Sequence, residues 1–196
     1  RSQHANAIME ASSAGIDGWA VARHWSQWVD ASITLDRLLA ECHEVFVGAD
    51  AGGQADLSAM VVIGRPAAGG YLVWSRAWLT RHGYATWPKN QPLYDEAKQT
   101  GELIITDTAG EDIEEIFDLL GEISPLIVGV DPYGLQDLAR RCEESRIEVV
   151  GVPQGYRISP HLEGAERGFF ADQIRVCSGP LLRWCVSNMR LKDRGG

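Results

Sequence analysis

The chain has 196 residues, of which 45% are hydrophobic and 23% are charged, and it contains 21 glycines. This is enough apolar material for one sizeable core, so we expect a globular domain. No apolar run approaches the ~20 residues that span a bilayer, and the N-terminus lacks the basic-then-apolar order of a secretory signal. The composition therefore predicts a soluble, cytoplasmic protein with no membrane partner.

The formal net charge of −9 argues against a nucleic-acid partner, because affinity for phosphates comes mostly from Lys and Arg. Clustered acids that bind divalent metals weaken this objection, since the bound metal reverses the local field. The four cysteines have neither a CxxC pair nor a matching histidine spacing. They predict free thiols rather than a zinc site or a disulfide framework.

Residues 1–43 differ in character from the rest, and we expect them to form a helical lead-in that packs on the core or joins an upstream domain. A helix is predicted over residues 16–29 and a second, short one around residues 35–39. The first of these contains three tryptophans at helical spacing. Such a stripe is usually part of a core, and we interpret it in that way.

The remainder of the chain predicts an α/β fold. Three apolar, β-branched runs separated by glycine-rich turns predict an antiparallel three-strand meander over residues 45–50, 57–63 and 71–79. Residues 81–90 are predicted to be irregular. Further strands are predicted at residues 103–106, 126–130 and 147–152, and helices at 93–100, 111–122, 134–145, 161–173 and 180–191. Alternating helices and strands after a meander indicate a mixed sheet flanked by helices.

Acidic residues end two of the predicted strands. Asp50 closes the first strand, before a glycine-rich turn that contains Asp56, and Asp131 closes the strand over residues 126–130. Functional groups gather at the carboxyl ends of strands in such sheets, and carboxylates suit hard cations such as Mg²⁺ and Mn²⁺. A strand-terminal Asp beside glycine or proline is also a common turn or cap residue. The residues alone leave both interpretations open.

Five stretches carry a family resemblance: VGADAGGQADLSA, VGVDPYG, VVGVPQGYRIS, HLEGAERGFFADQIRV and GPLLRWCVSNMRLKDRGG. Their order and spacing across residues 44–196 resemble the nuclease domain of the large terminase subunit of tailed phages and prophages. The resemblance implies a ribonuclease H-like fold. It also implies a metal-dependent endonuclease that cuts concatemeric viral DNA during genome packaging.

The same resemblance implies a set of roles and partners. Asp50 and Asp131 would be the catalytic metal ligands and Asp56 an auxiliary one, holding two Mg²⁺ or Mn²⁺ ions. The implied partners are double-stranded DNA, a terminase ATPase domain, the small terminase subunit and the portal, in the host cytoplasm. The family places a third acid near the C-terminus, where this chain offers only Asp193. By this resemblance we expect residues 1–43 to be the helical linker from an upstream ATPase domain, and residues 44–196 to form a nuclease domain that is incomplete at its C-terminus.

DNA contacts would come from local basic residues, for which the candidates are Arg157, Arg183, Arg190 and Lys192. Two other functions remain open. An actin-like ATPase or sugar kinase also begins with a strand-terminal Asp and glycines, although Gln54 stands where such proteins have Ser or Thr. A non-catalytic scaffold that docks DNA or the motor would fit the missing third acid.

Overall fold

A computed structural model describes residues 18–108, 110–131, 136–153 and 155–189. The strands of the described residues are β1 (Cys42–Asp50), β2 (Ser58–Pro66), β3 (Tyr71–Thr80), β4 (Leu103–Thr106), β5 (Ile127–Val130), β6 (Glu148–Gly151) and β7 (Ile174–Val176). The helices are α1 (Ala20–Arg23), α2 (Leu35–Glu41), α3 (Arg81–Thr86), α4 (Gln91–Gln99), α5 (Glu111–Ile123), α6 (Gln136–Glu144), α7 (Ser159–Phe170) and α8 (Pro180–Asn188). Short 3₁₀ turns occur at Trp25–Gln27, Pro88–Asn90 and Gly155–Ile158.

All seven of these strands belong to one mixed sheet with the order β4-β3-β2-β1-β5-β6, and β7 pairs with the beginning of β3. The first three strands form the expected antiparallel meander. The strand pairs β3–β4, β1–β5 and β5–β6 are parallel. The predicted α/β class and mixed sheet are therefore confirmed.

The two faces of the sheet are covered by different helices. On one face, apolar side chains of β1, β2, β3 and β5 pack against α2, α5 and α6, and Leu38, Ile116 and Leu138 are fully buried there. On the other face, β3 and β4 pack against α4 and α8. Alternation along each strand produces this division, since successive side chains point to opposite faces.

The N-terminal tryptophans are core residues, as expected. Trp19, Trp25 and Trp28 are all buried and surround Phe169 of α7, with ring centroids 5.1 to 5.9 Å apart. Val29 also forms a parallel bridge with Val176 of β7. The described residues that precede β1 thus pack on the sheet domain, while the proposed domain boundary at residue 43 stays a prediction.

Two local predictions were wrong, and one strand was missed. The predicted helix over residues 16–29 is, where described, a single turn of α1 followed by a 3₁₀ turn. Residues 81–90, predicted to be irregular, contain α3, which begins because the Thr80 side chain accepts a hydrogen bond from the N–H of Gly83. Strand β7 was missed because a run of three residues carries too little periodicity.

A buried carboxylate holds the beginning of α8. This helix starts at Gly179–Pro180 without a side-chain cap of its own. The N–H groups of Leu181 and Leu182 donate to the two carboxylate oxygens of Glu102, each at 2.7 Å. Glu102 is only 7% exposed, and its burial raises the pKa of the carboxyl above its ordinary value of 4.5, against the opposing effect of the two hydrogen bonds.

We predict a specific pH dependence of stability from Glu102. Because its pKa is raised by folding, the folded state binds the proton more tightly than the unfolded state does. The contribution of protonated Glu102 to the free energy of unfolding is therefore complete below about pH 4.5. It is lost as the pH rises through the higher pKa that Glu102 has in the folded state. Guanidinium denaturation should show the wild type gaining stability relative to Glu102→Gln as the pH falls from 8 to 4.5.

The matched control is Glu163→Gln, which changes an exposed Glu of α7. Its difference from the wild type should stay nearly constant over the same pH range. A Glu102→Gln difference that is equally flat, or that has the opposite slope, would contradict the assignment of a raised pKa to Glu102.

Candidate functional site

The candidate site lies where β1 and β5 end side by side. Ala49 of β1 pairs with Val130 of β5 in the parallel register, so the next residues, Asp50 and Asp131, are neighbours at the carboxyl edge of the sheet. Parallel strands run about 4.8 Å apart. The structure therefore brings together two acids that are distant in the chain.

The two acids also share one face of the sheet. Gly48 pairs with Gly129 one position earlier in the register, and Asp50 lies on the same face as Gly48 because side chains alternate along β1. Asp131 directly follows β5, two positions after Gly129, so the alternation of the strand predicts the same face for its side chain. The side chains of Ala49 and Val130 point into the core on the opposite face. Asp50 is exposed and Asp131 is half-buried.

The paired residues next to the acids, Gly48 and Gly129, have no side chains. A Cβ atom at Gly48 would meet nothing within 4 Å, whereas one at Gly129 would lie 2.9 Å from Cγ2 of Val152. A side chain on either strand would stand beside the acids. Gly48 thus leaves open space beside Asp50, whereas Val152 already fills the space over Gly129.

The loop after Asp50, residues 51–57, accepts hydrogen bonds from, or donates them to, three side chains outside it. The N–H of Gly52 donates to Oγ of Ser58 at 2.9 Å. The Oγ1 of Thr80 donates to the carbonyl oxygen of Gln54 at 2.5 Å, and Nε1 of Trp87 donates to that of Ala55 at 3.0 Å. This loop, which also contains the half-buried Asp56, is therefore fixed along its length.

The same edge of the sheet carries further acids beyond β4. Asp107 follows β4 and pairs with Arg81, while Glu111 begins α5. Hydrogen bonds from the Thr108 hydroxyl and the Asp107 N–H lower the pKa of Glu111, so this carboxylate stays ionised. An edge with so many carboxylates attracts cations and repels phosphates unless a cation lies between them.

The other predicted site residues are placed as follows. Arg157 is exposed in the 3₁₀ turn that follows β6, a strand whose carboxyl end lies at the same edge of the sheet as those of β1 and β5. Arg183 is exposed in the first turn of α8, whose N-terminus is held at the start of β4 rather than at its carboxyl end. Arg190, Lys192 and Asp193 lie outside the described residues. The DNA-binding and auxiliary roles stay predictions.

The oxygen atoms of Asp50 and Asp131 are of the chemical type that hard divalent cations prefer as ligands. Two adjacent carboxylates offer only oxygen ligands, which suit Mg²⁺ and Mn²⁺. Among the described residues, no group of three or more His, Cys, Asp and Glu side chains is arranged to hold a metal ion.

In the same part of the chain, no helix has the length and apolar character that a membrane span requires.

Sequence reasoning missed Ser58, Thr80, Trp87 and Asp112. Ser58 is 2% exposed at the start of β2, and its Oγ donates to Oδ2 of Asp112 in the first turn of α5 at 2.5 Å. These two residues are 54 positions apart in the chain. No local pattern signals such a contact, because the sheet order alone brings α5 next to the loop.

The meander, the parallel strands added beside β1 and β3, and the helices on both faces define a ribonuclease H-like α/β fold. The large terminase of bacteriophage HK97 has the same fold over 87% of this chain and 36% of its own, with a TM-score of 0.71 and 17% identity. The fold that the family resemblance predicted is confirmed. The chain spans about a third of the length of that terminase.

A second solved structure is also similar. The large terminase nuclease of the thermophilic phage G20c, solved with bound zinc, matches 76% of this chain and 71% of its own with a TM-score of 0.49 and 16% identity. No model of a protein family matches the chain, and no curated protein sequence matches it.

We predict that the loop tolerates a methyl group at Gly53 but not at Gly52. A Cβ at Gly52 would lie 2.4 Å from the carbonyl oxygen of Asp56, which is backbone and cannot move aside cheaply. Gly52→Ala should lower the free energy of unfolding by about 1–3 kcal/mol, measured by chemical denaturation.

Gly53→Ala is the matched control, since a Cβ there would meet nothing within 4 Å. Its effect should stay within about 0.5 kcal/mol of the wild type. Equal effects of the two substitutions would contradict the tight closure of the loop at Gly52.

Proposed function

We propose that the chain is a metal-dependent endonuclease that cleaves double-stranded DNA during viral genome packaging. The proposal depends on one observation: the parallel register of β1 and β5 puts Asp50 and Asp131 side by side, on one face, at the carboxyl edge of the sheet. Two carboxylates so placed repel each other unless a cation or proton lies between them. That arrangement suits a divalent metal centre better than a turn or a cap.

Asp50 and Asp131 would hold Mg²⁺ or Mn²⁺, with Asp56 on the adjoining loop as an auxiliary ligand. Two divalent ions bound there would lower the pKa of the attacking water and stabilise the leaving oxygen of the phosphodiester. The protein's own contribution is to hold Asp50 at the end of β1 and Asp131 directly after β5. Residues built on strands keep their geometry better than residues on loops do.

The surroundings of the acids support a polymeric phosphodiester as the substrate. The open space at Gly48 lets a nucleic-acid backbone approach Asp50, and Arg157, in the turn that follows β6, would supply a positive charge for a phosphate. The net charge of −9 makes such binding dependent on metal ions and on local basic residues. Arg183, Arg190 and Lys192 are the other proposed DNA contacts.

The likeness in fold to the HK97 large terminase gives the proposal its biological setting. Within that setting, an ATPase domain, a small terminase subunit and a portal would be the partners, in the host cytoplasm. A third acidic ligand would complete the site, and Asp193 is the late carboxylate that this chain offers.

We predict that Asp131→Asn abolishes cleavage of plasmid DNA in Mn²⁺ and lowers the affinity for Mn²⁺ measured by titration calorimetry. The substitution is nearly isosteric but removes the charge that attracts the cation. Cleavage should fall by at least about 100-fold, while the thermal unfolding curve should stay close to that of the wild type.

The control is Asp172→Asn, which changes an exposed Asp paired with Arg175 just before β7, near the opposite edge of the sheet. It should cleave like the wild type. Undiminished cleavage by Asp131→Asn would remove this residue from the ligand set. Binding of ATP without any DNA cleavage by the wild type would favour the kinase-like alternative, and neither activity would favour a scaffold.

A further inference from the structure

A partly buried series of hydrogen bonds lies behind the loop that follows Asp50. The N–H of Gly52 donates to Oγ of Ser58 at 2.9 Å, and Ser58 donates in turn to Oδ2 of Asp112 at 2.5 Å. The other oxygen of Asp112 accepts from the N–H of Gly110 at 3.2 Å. These hydrogen bonds thus connect the loop to the beginning of α5.

The direction of this chain follows from the chemistry of its members. A carboxylate accepts hydrogen bonds, so the Ser58 hydroxyl donates its hydrogen bond to Asp112 and turns a lone pair towards the N–H of Gly52. A hydrogen bond to a charged acceptor is about twice as strong as a neutral one, and it polarises the next bond in the chain. Asp112 therefore orients Ser58, and Ser58 orients the loop backbone.

The position of Ser58 explains why this contact matters for Asp50. Ala59 pairs with Asp50 in the antiparallel register, and Ser58 is the residue next to it on the opposite face of β2. Ser58 therefore lies behind the acid and does not share its face. The loop has little freedom to compensate, because Gly52 is already packed against the backbone of Asp56 and Leu57.

We infer that Ser58 and Asp112 are positioning residues for Asp50, which hold the backbone after this acid so that its carboxylate and that of Asp131 bind one divalent cation together. The inference rests on the proposed nuclease function. Groups that orient metal ligands without touching the metal typically change metal affinity by about 10- to 100-fold when they are removed. They act on the ligand, not on the cation.

The test is Ser58→Ala in the full chain, with two measurements. Titration calorimetry with Mn²⁺ alone should give a dissociation constant raised about 10- to 100-fold. Amide hydrogen exchange followed by NMR, without metal, should show faster exchange at Gly52. DNA cleavage should require correspondingly more Mn²⁺ and should recover at saturating Mn²⁺. The conservative variant Ser58→Thr keeps the hydroxyl and should restore most of the Mn²⁺ affinity.

Asp112→Ala is the second variant, because it removes the acceptor of the Ser58 hydrogen bond at the half-buried beginning of α5. It keeps the test valid if Ser58→Ala does not fold. It should raise the dissociation constant similarly, and the double variant should add little, because the two residues act as one chain. The matched control is Ser75→Ala, a half-buried serine of β3 whose Oγ lies 3.8 Å from Sγ of Cys177. It should leave the Mn²⁺ affinity unchanged.

An unchanged Mn²⁺ dissociation constant in Ser58→Ala and Asp112→Ala, with the wild type binding Mn²⁺ and cleaving DNA, would overturn this inference and leave the proposed function standing. A wild type that neither binds Mn²⁺ nor cleaves would overturn the proposed function and this inference with it.

Discussion

The parallel pairing of β1 with β5 is the constraint on which the candidate site depends. The meander ends away from β1, and the chain must pass through β4 and α5 before β5 can pair with the free side of β1. This crossover sets the register in which Ala49 faces Val130. A shift of one residue would turn one acid to the other face and separate the pair. The core packing of Val47, Ala49, Val128 and Val130 opposes such a shift.

Polar contacts between residues far apart in the sequence also hold elements of the fold in place. Glu102 binds the beginning of α8 across 79 and 80 positions of the chain, and Ser58 reaches Asp112 across 54. In each case a buried side chain satisfies backbone or hydroxyl groups that would otherwise be costly to bury. One contact fixes a helix on the periphery of the sheet, and the other fixes the loop beside the acids. The fold therefore uses buried oxygen atoms both for stability and for positioning.

The net negative charge of the protein is compatible with the proposed cleavage of DNA if divalent cations bind at the acids. Acids collect at the carboxyl edge of the sheet, where Asp50 and Asp131 are joined by Asp107 and Glu111. Without cations this edge repels DNA, and with them it attracts phosphates. A net charge of −9 therefore does not exclude a nucleic-acid substrate. It makes the interaction conditional on the ions that the proposed reaction requires.

The sequence by itself determined the strands of the meander, most of the helices and the two strand-terminal acids, because apolar periodicity and glycine boundaries are local properties. It did not reveal α3, which depends on the Thr80 cap and on packing around Gly83, or β7, which depends on pairing with β3. Only the tertiary structure decided that Asp50 and Asp131 are neighbours on one face and that Ser58 and Asp112 lie behind them. Register and crossover are set by contacts between distant segments, and no local pattern encodes them.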